Sequence, residues 1–167
     1  AAIRDPNPVI FLENEMLYGQ AFPAPTGEDE VIPIGKARIV RSGKDVTITT
    51  FSLMVGVALQ AAEQLASEGI DVEVIDLRTI RPLDEQTILQ SVMKTNRLVT
   101  LEEGWGFAGI GSEISSLVME QAFDYLDAPV KRVVGTDVPM PYAESLVKLT
   151  IPQVEWVIDA VKQVCYR

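Results

Sequence analysis

The chain has 167 residues, of which 47% are hydrophobic and 23% are charged, a composition typical of one ordinary globular domain. It has 14 basic and 24 acidic residues, and the resulting formal charge of −10 argues against binding to nucleic-acid phosphates. It contains no histidine and a single cysteine, Cys165, which excludes Ser-His-Asp and Cys-His catalysis, histidine-ligated metals, an internal disulfide and a cysteine zinc cluster.

The first 34 residues differ in composition from the rest and hold five of the ten prolines. Residues 9–12 are four consecutive large apolar residues, which predicts a fully buried strand. The proline-, glycine- and acid-rich stretch that follows is typical of a semi-rigid linker. We therefore expect residues 1–18 to be the last strand of a truncated domain, residues 19–34 to be a linker, and residues 35–167 to form the main domain.

Strand and helix patterns alternate along the main domain. β-branched or apolar runs predict strands at residues 46–50, 72–77, 97–101 and 130–134. Apolar side chains at helical spacing predict a helix after each strand: one capped by Ser52 and ended by Gly69, one opened by Pro82 and Asp84, a third over residues 110–122 and a last one from Pro152 to Val164. Short connections of this kind predict an α/β fold, a three-layer sandwich with a mostly parallel sheet and helices on both faces.

A glycine motif follows the third predicted strand. Gly104, Gly106 and Gly109 fit the G-x-G-x-x-G pattern of a dinucleotide-binding turn, and Asp137 is a candidate ribose-binding carboxylate. Two negative charges directly before the turn and two bulky aromatic residues within it argue against an incoming pyrophosphate. The favoured interpretation is a tight strand-to-helix turn, and the dinucleotide-binding module stays open as the alternative.

Four further segments have a structural and a functional interpretation each. Residues 78–82 suit an anion site or, more often, a loop held by its arginines. Glu102 and Glu103 suit a solvated edge plus a loop anchor better than an acid–base pair. Residues 137–142 form a stiff loop or an interface, and residues 124–127 form a solvated last turn or a docking spot for a basic partner.

Six segments carry a resemblance to a known family. They are ENEMLYG at residues 13–19, IGKA at 34–37, IDLRTIRPLD at 75–84, KTNRLVT at 94–100, YLDAP at 125–129 and DVPMPYA at 137–143. Together they resemble the beta subunits of the thiamine-diphosphate-dependent 2-oxo acid dehydrogenases, in the pyruvate dehydrogenase branch. The resemblance implies that the main domain has the fold of a transketolase C-terminal domain and that an N-terminal pyrimidine-binding domain precedes it.

The resemblance further implies a tetramer of two alpha and two beta chains that decarboxylates pyruvate and acetylates lipoyl-lysine, using thiamine diphosphate and magnesium. The family's glutamate that protonates the cofactor has no match in this sequence. We therefore assign no catalytic, cofactor-binding or metal-binding residue, and we expect this chain alone to be inert and to bind neither group. A beta subunit for branched-chain 2-oxo acids is a further alternative.

The partners implied by the resemblance are the alpha subunit, a second beta subunit and the peripheral-subunit-binding domain of dihydrolipoyl acetyltransferase. The position that matches the acetyltransferase contact is Asp127, aided by the terminal carboxylate of Arg167. No nucleic-acid or membrane partner is expected, and the implied location is bacterial cytoplasm or mitochondrial matrix. One departure is local: the family commonly has proline after the tryptophan that matches Trp105, whereas Gly106 and Phe107 follow it here.

Overall fold

The structure is a computed structural model that describes residues 1–21, 23 and 31–167. Over these residues, five strands form one sheet with helices on both of its faces. The strands are β1 (Arg38–Arg41), β2 (Val46–Thr50), β3 (Val72–Asp76), β4 (Leu98–Trp105) and β5 (Lys131–Gly135). The helices are α1 (Met54–Ser67), α2 (Glu85–Thr95), α3 (Ile110–Gln121), α4 (Glu144–Val147) and α5 (Val154–Val164), with 3-10 helices at Glu15–Leu17 and Phe123–Tyr125.

The sheet has the strand order β1-β3-β2-β4-β5. β2 to β5 run parallel, whereas β1 lies antiparallel to β3 at one edge. From β2, the chain first adds β3 on one side of the sheet and then adds β4 and β5 on the other side. The order in which strands are added therefore reverses between β2 and β4. The prediction of a mostly parallel α/β sheet is confirmed. β1 was not predicted because it has only four residues, two adjacent aliphatic side chains between two arginines, and lacks the alternation of a half-buried strand.

Each face of the sheet has its own apolar core. On one face, β2, β3 and β4 pack against α1 and α5, with Ile48, Leu65, Val74, Leu101 and Val161 fully buried. On the opposite face, Ile75, Ile88, Leu98, Ile114 and Val118 pack together beneath α2 and α3. Because successive strand residues point to opposite faces, neighbours such as Val74 and Ile75 belong to different cores.

Polar side chains are also buried on the α2 side of the sheet. Glu73 in β3 is completely buried and forms an ion pair with Lys94 at the end of α2. In the neighbouring strand β2, the Thr47 hydroxyl forms a 2.7 Å hydrogen bond with the hydroxyl of Thr95, the last residue of α2. These two contacts attach α2 to β2 and β3. The ion pair is required at this place because the buried Glu73 carboxylate without a partner would be strongly destabilising.

The ends of the helices follow the sequence signals in two of three cases. The Asp84 carboxylate accepts a hydrogen bond from the Thr87 N–H and caps α2. Gly69, with a φ of +78°, follows the end of α1, where a left-handed residue favours glycine. The prediction that Ser52 caps α1 is wrong: the helix begins one residue further along, and its cap, Leu53, has no side-chain hydrogen bond.

The predicted strand at residues 9–12 does not form in this structure. Its side chains are exposed, Ile10 and Leu12 to 88%, because no neighbouring strand among the described residues pairs with it. Its assignment to a preceding domain stays a prediction. Half of the predicted linker, residues 22 and 24–30, lies outside the described residues.

None of the helices in the described part of the chain has the length and apolar character needed to cross a bilayer.

Candidate functional site

The carboxyl ends of β2 and β4 mark the point at which the strand order reverses. In open α/β sheets, ligands usually bind in the crevice at this point, so the glycine motif lies in the right region. However, β4 continues to Trp105, so Gly104 is part of the strand rather than of the turn. The turn itself is short, and Ala108, with a φ of +56°, has the left-handed conformation just before α3.

Glu102 occupies the N-terminus of α3. Its carboxylate is nearly fully buried and accepts hydrogen bonds from the N–H groups of Ile110, at 3.1 Å, and Gly111, at 3.0 Å. An added methyl group at Gly109 would lie 2.5 Å from the Glu102 carboxylate, so this glycine allows the close approach. The anion at the helix N-terminus is therefore a side chain of the protein itself.

This arrangement overturns the dinucleotide-binding alternative. A pyrophosphate needs the N–H groups that Glu102 already occupies, and a second negative charge beside a buried carboxylate would be repelled. Of the two neighbouring acids, Glu102 is the loop anchor and Glu103 is half-exposed, which agrees with the predicted edge and anchor.

A second set of contacts holds the turn from the side of β5. The Arg132 guanidinium donates to the Gly106 carbonyl at 2.8 Å and to the Ser112 hydroxyl at 2.5 Å, and that hydroxyl also donates to the Gly106 carbonyl. The end of β4 presents Trp105, 54% exposed, and the turn presents Phe107, 89% exposed, to solvent. Phe107 is therefore an exposed aromatic residue on a turn that hydrogen bonds hold in place.

The segment after β3 behaves as a held loop and matches the structural interpretation of residues 78–82. The Thr79 hydroxyl accepts a hydrogen bond from the Gly35 N–H at 3.1 Å, and Arg78 lies 3.9 Å from Asp76. Burial raises the pKa of the Asp76 carboxyl, although the Arg78 backbone N–H and charge oppose this shift.

Asp84 joins this segment to the start of β1. Its carboxylate accepts hydrogen bonds from the Ala37 N–H and the Thr87 hydroxyl, and it lies 3.9 Å from the Lys36 ammonium group. Burial by itself would raise the pKa of Asp84, but the donors from Ala37 and Thr87, together with the Lys36 charge, lower it. The carboxylate is thus a structural anion that links two segments.

The predicted partner-binding residues lie near the amino end of β4. The Asp127 side chain is 54% exposed and pairs with the Arg97 guanidinium at 3.1 Å. The Tyr166 hydroxyl donates to the Asp127 carbonyl at 3.1 Å, so the last turn of the chain lies against Asp127. Arg167 is exposed, and its N–H bonds to the Lys162 carbonyl. Their role in docking stays a prediction.

The two other candidate segments are exposed. Met140 and Tyr142 point to solvent, 60% and 105% exposed, in the proline-rich loop after β5, and the Thr150 hydroxyl contacts the Met140 sulfur at 3.4 Å. Phe123 and Tyr125 lie on the exposed 3-10 helix before Asp127. Both segments therefore have the accessibility that an interface requires.

Across the described ranges, the structure brings together no group of three or more acidic or cysteine side chains that could hold a metal ion. The carboxylates of Glu102 and Asp84 are each used by backbone N–H groups, which leaves them poorly suited as ligands.

Comparison with known proteins agrees with this fold. The family model described as the transketolase C-terminal domain matches residues 35–157, which is most of the chain. The chain belongs to the transketolase C-terminal domain family. A solved structure titled as a split-gene transketolase, an inactive beta4 tetramer, has 29% identity and a TM-score of 0.73, over 86% of this chain and 46% of that one.

Two curated relatives of the chain carry the name of the same kind of subunit. The chain is 60% identical over 167 residues to the pyruvate dehydrogenase E1 component subunit beta of Rhizobium meliloti, covering all of this chain and 36% of the relative. It is 61% identical over 170 residues to the mitochondrial subunit beta-1 of Oryza sativa, covering 46% of that protein. The chain thus spans less than half the length of these two relatives.

The sequence did not predict the role of Arg132, and it predicted the role of Glu102 only in part. Arg132 contacts Gly106 across 26 positions, and no local signal connects them. The capping role of Glu102 had a weak signal, an acid at the end of a strand followed by glycines before a helix, but the pattern does not say which of two neighbouring acids points inward.

Proposed function

We propose that this chain forms the C-terminal domain of the beta subunit of a pyruvate dehydrogenase, the component that decarboxylates pyruvate and acetylates lipoyl-lysine. The observation that carries this proposal is the 60% identity to such a subunit over all 167 residues. The sources of the relatives, a bacterium and a plant mitochondrion, support a location in bacterial cytoplasm or the mitochondrial matrix.

The role we propose for the domain is assembly rather than chemistry. Thiamine diphosphate carries a diphosphate that needs cationic or N–H donors, and the α3 N-terminus is already closed by Glu102. The α3 N-terminus therefore does not fit the diphosphate, the described residues hold no cluster of acids for its magnesium, and we derive no catalytic step from them. We propose that both groups bind elsewhere in a tetramer of two alpha and two beta chains.

Two exposed surfaces support a role in assembly. Trp105, Phe107, Met140 and Tyr142 expose aromatic and apolar area beyond the carboxyl ends of β4 and β5, as expected for contact with other subunits. Asp127, beside the last turn of the chain, offers a carboxylate to a basic module, and we propose that it docks the acetyltransferase together with the terminal carboxylate of Arg167.

A chimeric beta subunit tests the enzymatic assignment. The matching region of the Rhizobium meliloti beta subunit is replaced by this chain, and the product is assembled with that organism's alpha subunit. We expect a tetramer that decarboxylates pyruvate with a kcat/KM within about ten-fold of the parent enzyme, a loss of about 1.4 kcal/mol of transition-state stabilisation at most.

The parent enzyme, assembled in the same way, is the control for the chimera. A folded chimera that fails to bind the alpha subunit would contradict the proposal. A chimera that prefers branched-chain 2-oxo acids to pyruvate would contradict it as well.

A further inference from the structure

The N-terminal segment touches the domain through very few residues. Within residues 8–20, every residue is exposed except Asn14 and Leu17. Asn14 is thus a point of contact within a segment that otherwise projects into solvent. Asn14 is partly buried although the apolar residues Ile10, Leu12 and Met16 around it remain exposed, which indicates a specific polar contact rather than hydrophobic collapse.

Both ends of the Asn14 amide are hydrogen-bonded, one to the domain and the other within the segment. Its Nδ2 donates a hydrogen bond of 3.0 Å to the Glu103 carboxylate in β4, 89 positions away. Its Oδ1 accepts a 3.0 Å hydrogen bond from the Met16 N–H and caps the 3-10 helix Glu15–Leu17. One side chain therefore both shapes the segment and attaches it to the sheet, and the bond to Glu103 is strengthened by the carboxylate charge.

The chain is attached a second time where it approaches β1. The Gly35 N–H donates to the Thr79 hydroxyl, and the Ala37 N–H donates to the Asp84 carboxylate. Thr79 and Asp84 follow the carboxyl end of β3, whereas Glu103 lies near the carboxyl end of β4. Both attachments therefore lie at the carboxyl ends of the strands, where open α/β sheets usually bind ligands.

We propose that the carboxyl end of this sheet is a docking face for the chain's own N-terminal segment, with Asn14 and Glu103 as the latch that holds residues 13–18. Glu102 closes the helix N-terminus from within, and the adjacent Glu103 faces outward to receive the segment. The latch orients everything that precedes residue 13 relative to the sheet. This inference does not depend on the proposed enzymatic role.

Amide hydrogen exchange in the full chain, read by mass spectrometry over residues 13–20, tests the latch. The substitution Asn14→Asp keeps an oxygen that accepts the Met16 N–H, but it places a second carboxylate against Glu103. We expect the protected N–H groups of Met16, Leu17 and Tyr18 to exchange about ten-fold faster, because like charges replace a charge-assisted hydrogen bond.

A compensating variant makes the test specific to this pair. In Asn14→Asp combined with Glu103→Gln, the glutamine amide donates to the new carboxylate, and we expect exchange to return to within about two-fold of the original rate. Glu155→Gln removes the same charge at an exposed position on α5 and is expected to change nothing.

Two outcomes would overturn the proposal: unchanged exchange in Asn14→Asp, or fast exchange that Glu103→Gln does not reverse. Core amides in β2 are measured in the same samples, and equal acceleration there would indicate global destabilisation and also contradict a local latch.

Discussion

Glu102 is a charged residue at a position where a parallel sheet usually leaves room for a ligand. It is buried because two N–H groups at the start of α3 offer the hydrogen bonds that water would otherwise provide. The favourable direction of the helix dipole adds to this stabilisation. The Glu102 carboxylate therefore caps the N-terminus of α3 from inside the protein.

Removing this carboxylate should be costly. We expect Glu102→Ala to lower the free energy of unfolding by about 2 kcal/mol, because the Ile110 and Gly111 N–H groups lose their acceptors at a site that water reaches poorly. Glu102→Gln, which keeps one oxygen acceptor, should lose about half as much. Urea denaturation followed by circular dichroism measures all variants.

Glu113→Ala is the matched control, since Glu113 lies exposed in the same first turn of α3. Its unfolding free energy should change by about 0.5 kcal/mol or less. Equal losses in the two alanine variants would show that charge near the helix end, and not capping, is responsible.

The attachment of α3 to the sheet depends on a close approach between a helix and a strand. Gly111, in the first turn of α3, lies over Thr100 of β4, and an added methyl group would be 2.5 Å from the Thr100 hydroxyl oxygen. In contrast, Gly56 in α1 is exposed and has nothing within 4 Å of the same methyl position. The two glycines are therefore both helical but differ in their surroundings.

The same substitution at these two positions should have opposite effects. We expect Gly111→Ala to lower the free energy of unfolding by about 1–3 kcal/mol, because helix and strand must move apart. Gly56→Ala should raise it by about 0.5–1 kcal/mol through the higher helix propensity of alanine. Thermal and urea unfolding of both variants measures this difference, and a change of the same sign in both would contradict the packing argument.

On the scale of the whole molecule, an acidic domain presents carboxylates and apolar side chains at separate places. The net charge of −10 steers a basic partner towards the surface at long range, whereas only particular carboxylates can make the final contact. Asp127 is half-exposed, lies beside Tyr166 and is partly oriented by Arg97. It therefore combines accessibility with a defined side-chain position.

The docking role of Asp127, which rests on the proposed function, is tested in the assembled tetramer. We expect Asp127→Ala to weaken binding of the acetyltransferase's binding module by about ten-fold at low salt, and by less at high salt, because the lost contact is charge-assisted. Isothermal titration calorimetry at two salt concentrations measures the effect.

Asp124→Ala provides the comparison. Asp124 is an exposed acid on the neighbouring 3-10 helix, and its substitution by alanine removes the same charge as Asp127→Ala. We expect its affinity to stay within about two-fold of the original. Equal weakening by both variants would assign the effect to net charge instead of to the Asp127 contact.

The fold was predictable where the signal was local. The periods of apolar residues identified β2 to β5 and four of the helices, and Asp84 and Gly69 marked helix ends, since periodicity and capping involve neighbours a few positions apart. The short edge strand β1 and the short helix α4 carry too few residues for such a signal.

By itself, the sequence determined the α/β alternation, the mostly parallel sheet and the motifs shared with the transketolase-type family, because each depends on residue order alone. Tertiary structure decided the rest. Residues 9–12 have the composition of a strand but no strand beside them among the described residues, and Glu102, rather than Glu103, turned inward towards α3. Asn14 met Glu103 across 89 positions. Such contacts depend on how distant parts of the chain are placed in space, and local patterns carry no information about that placement.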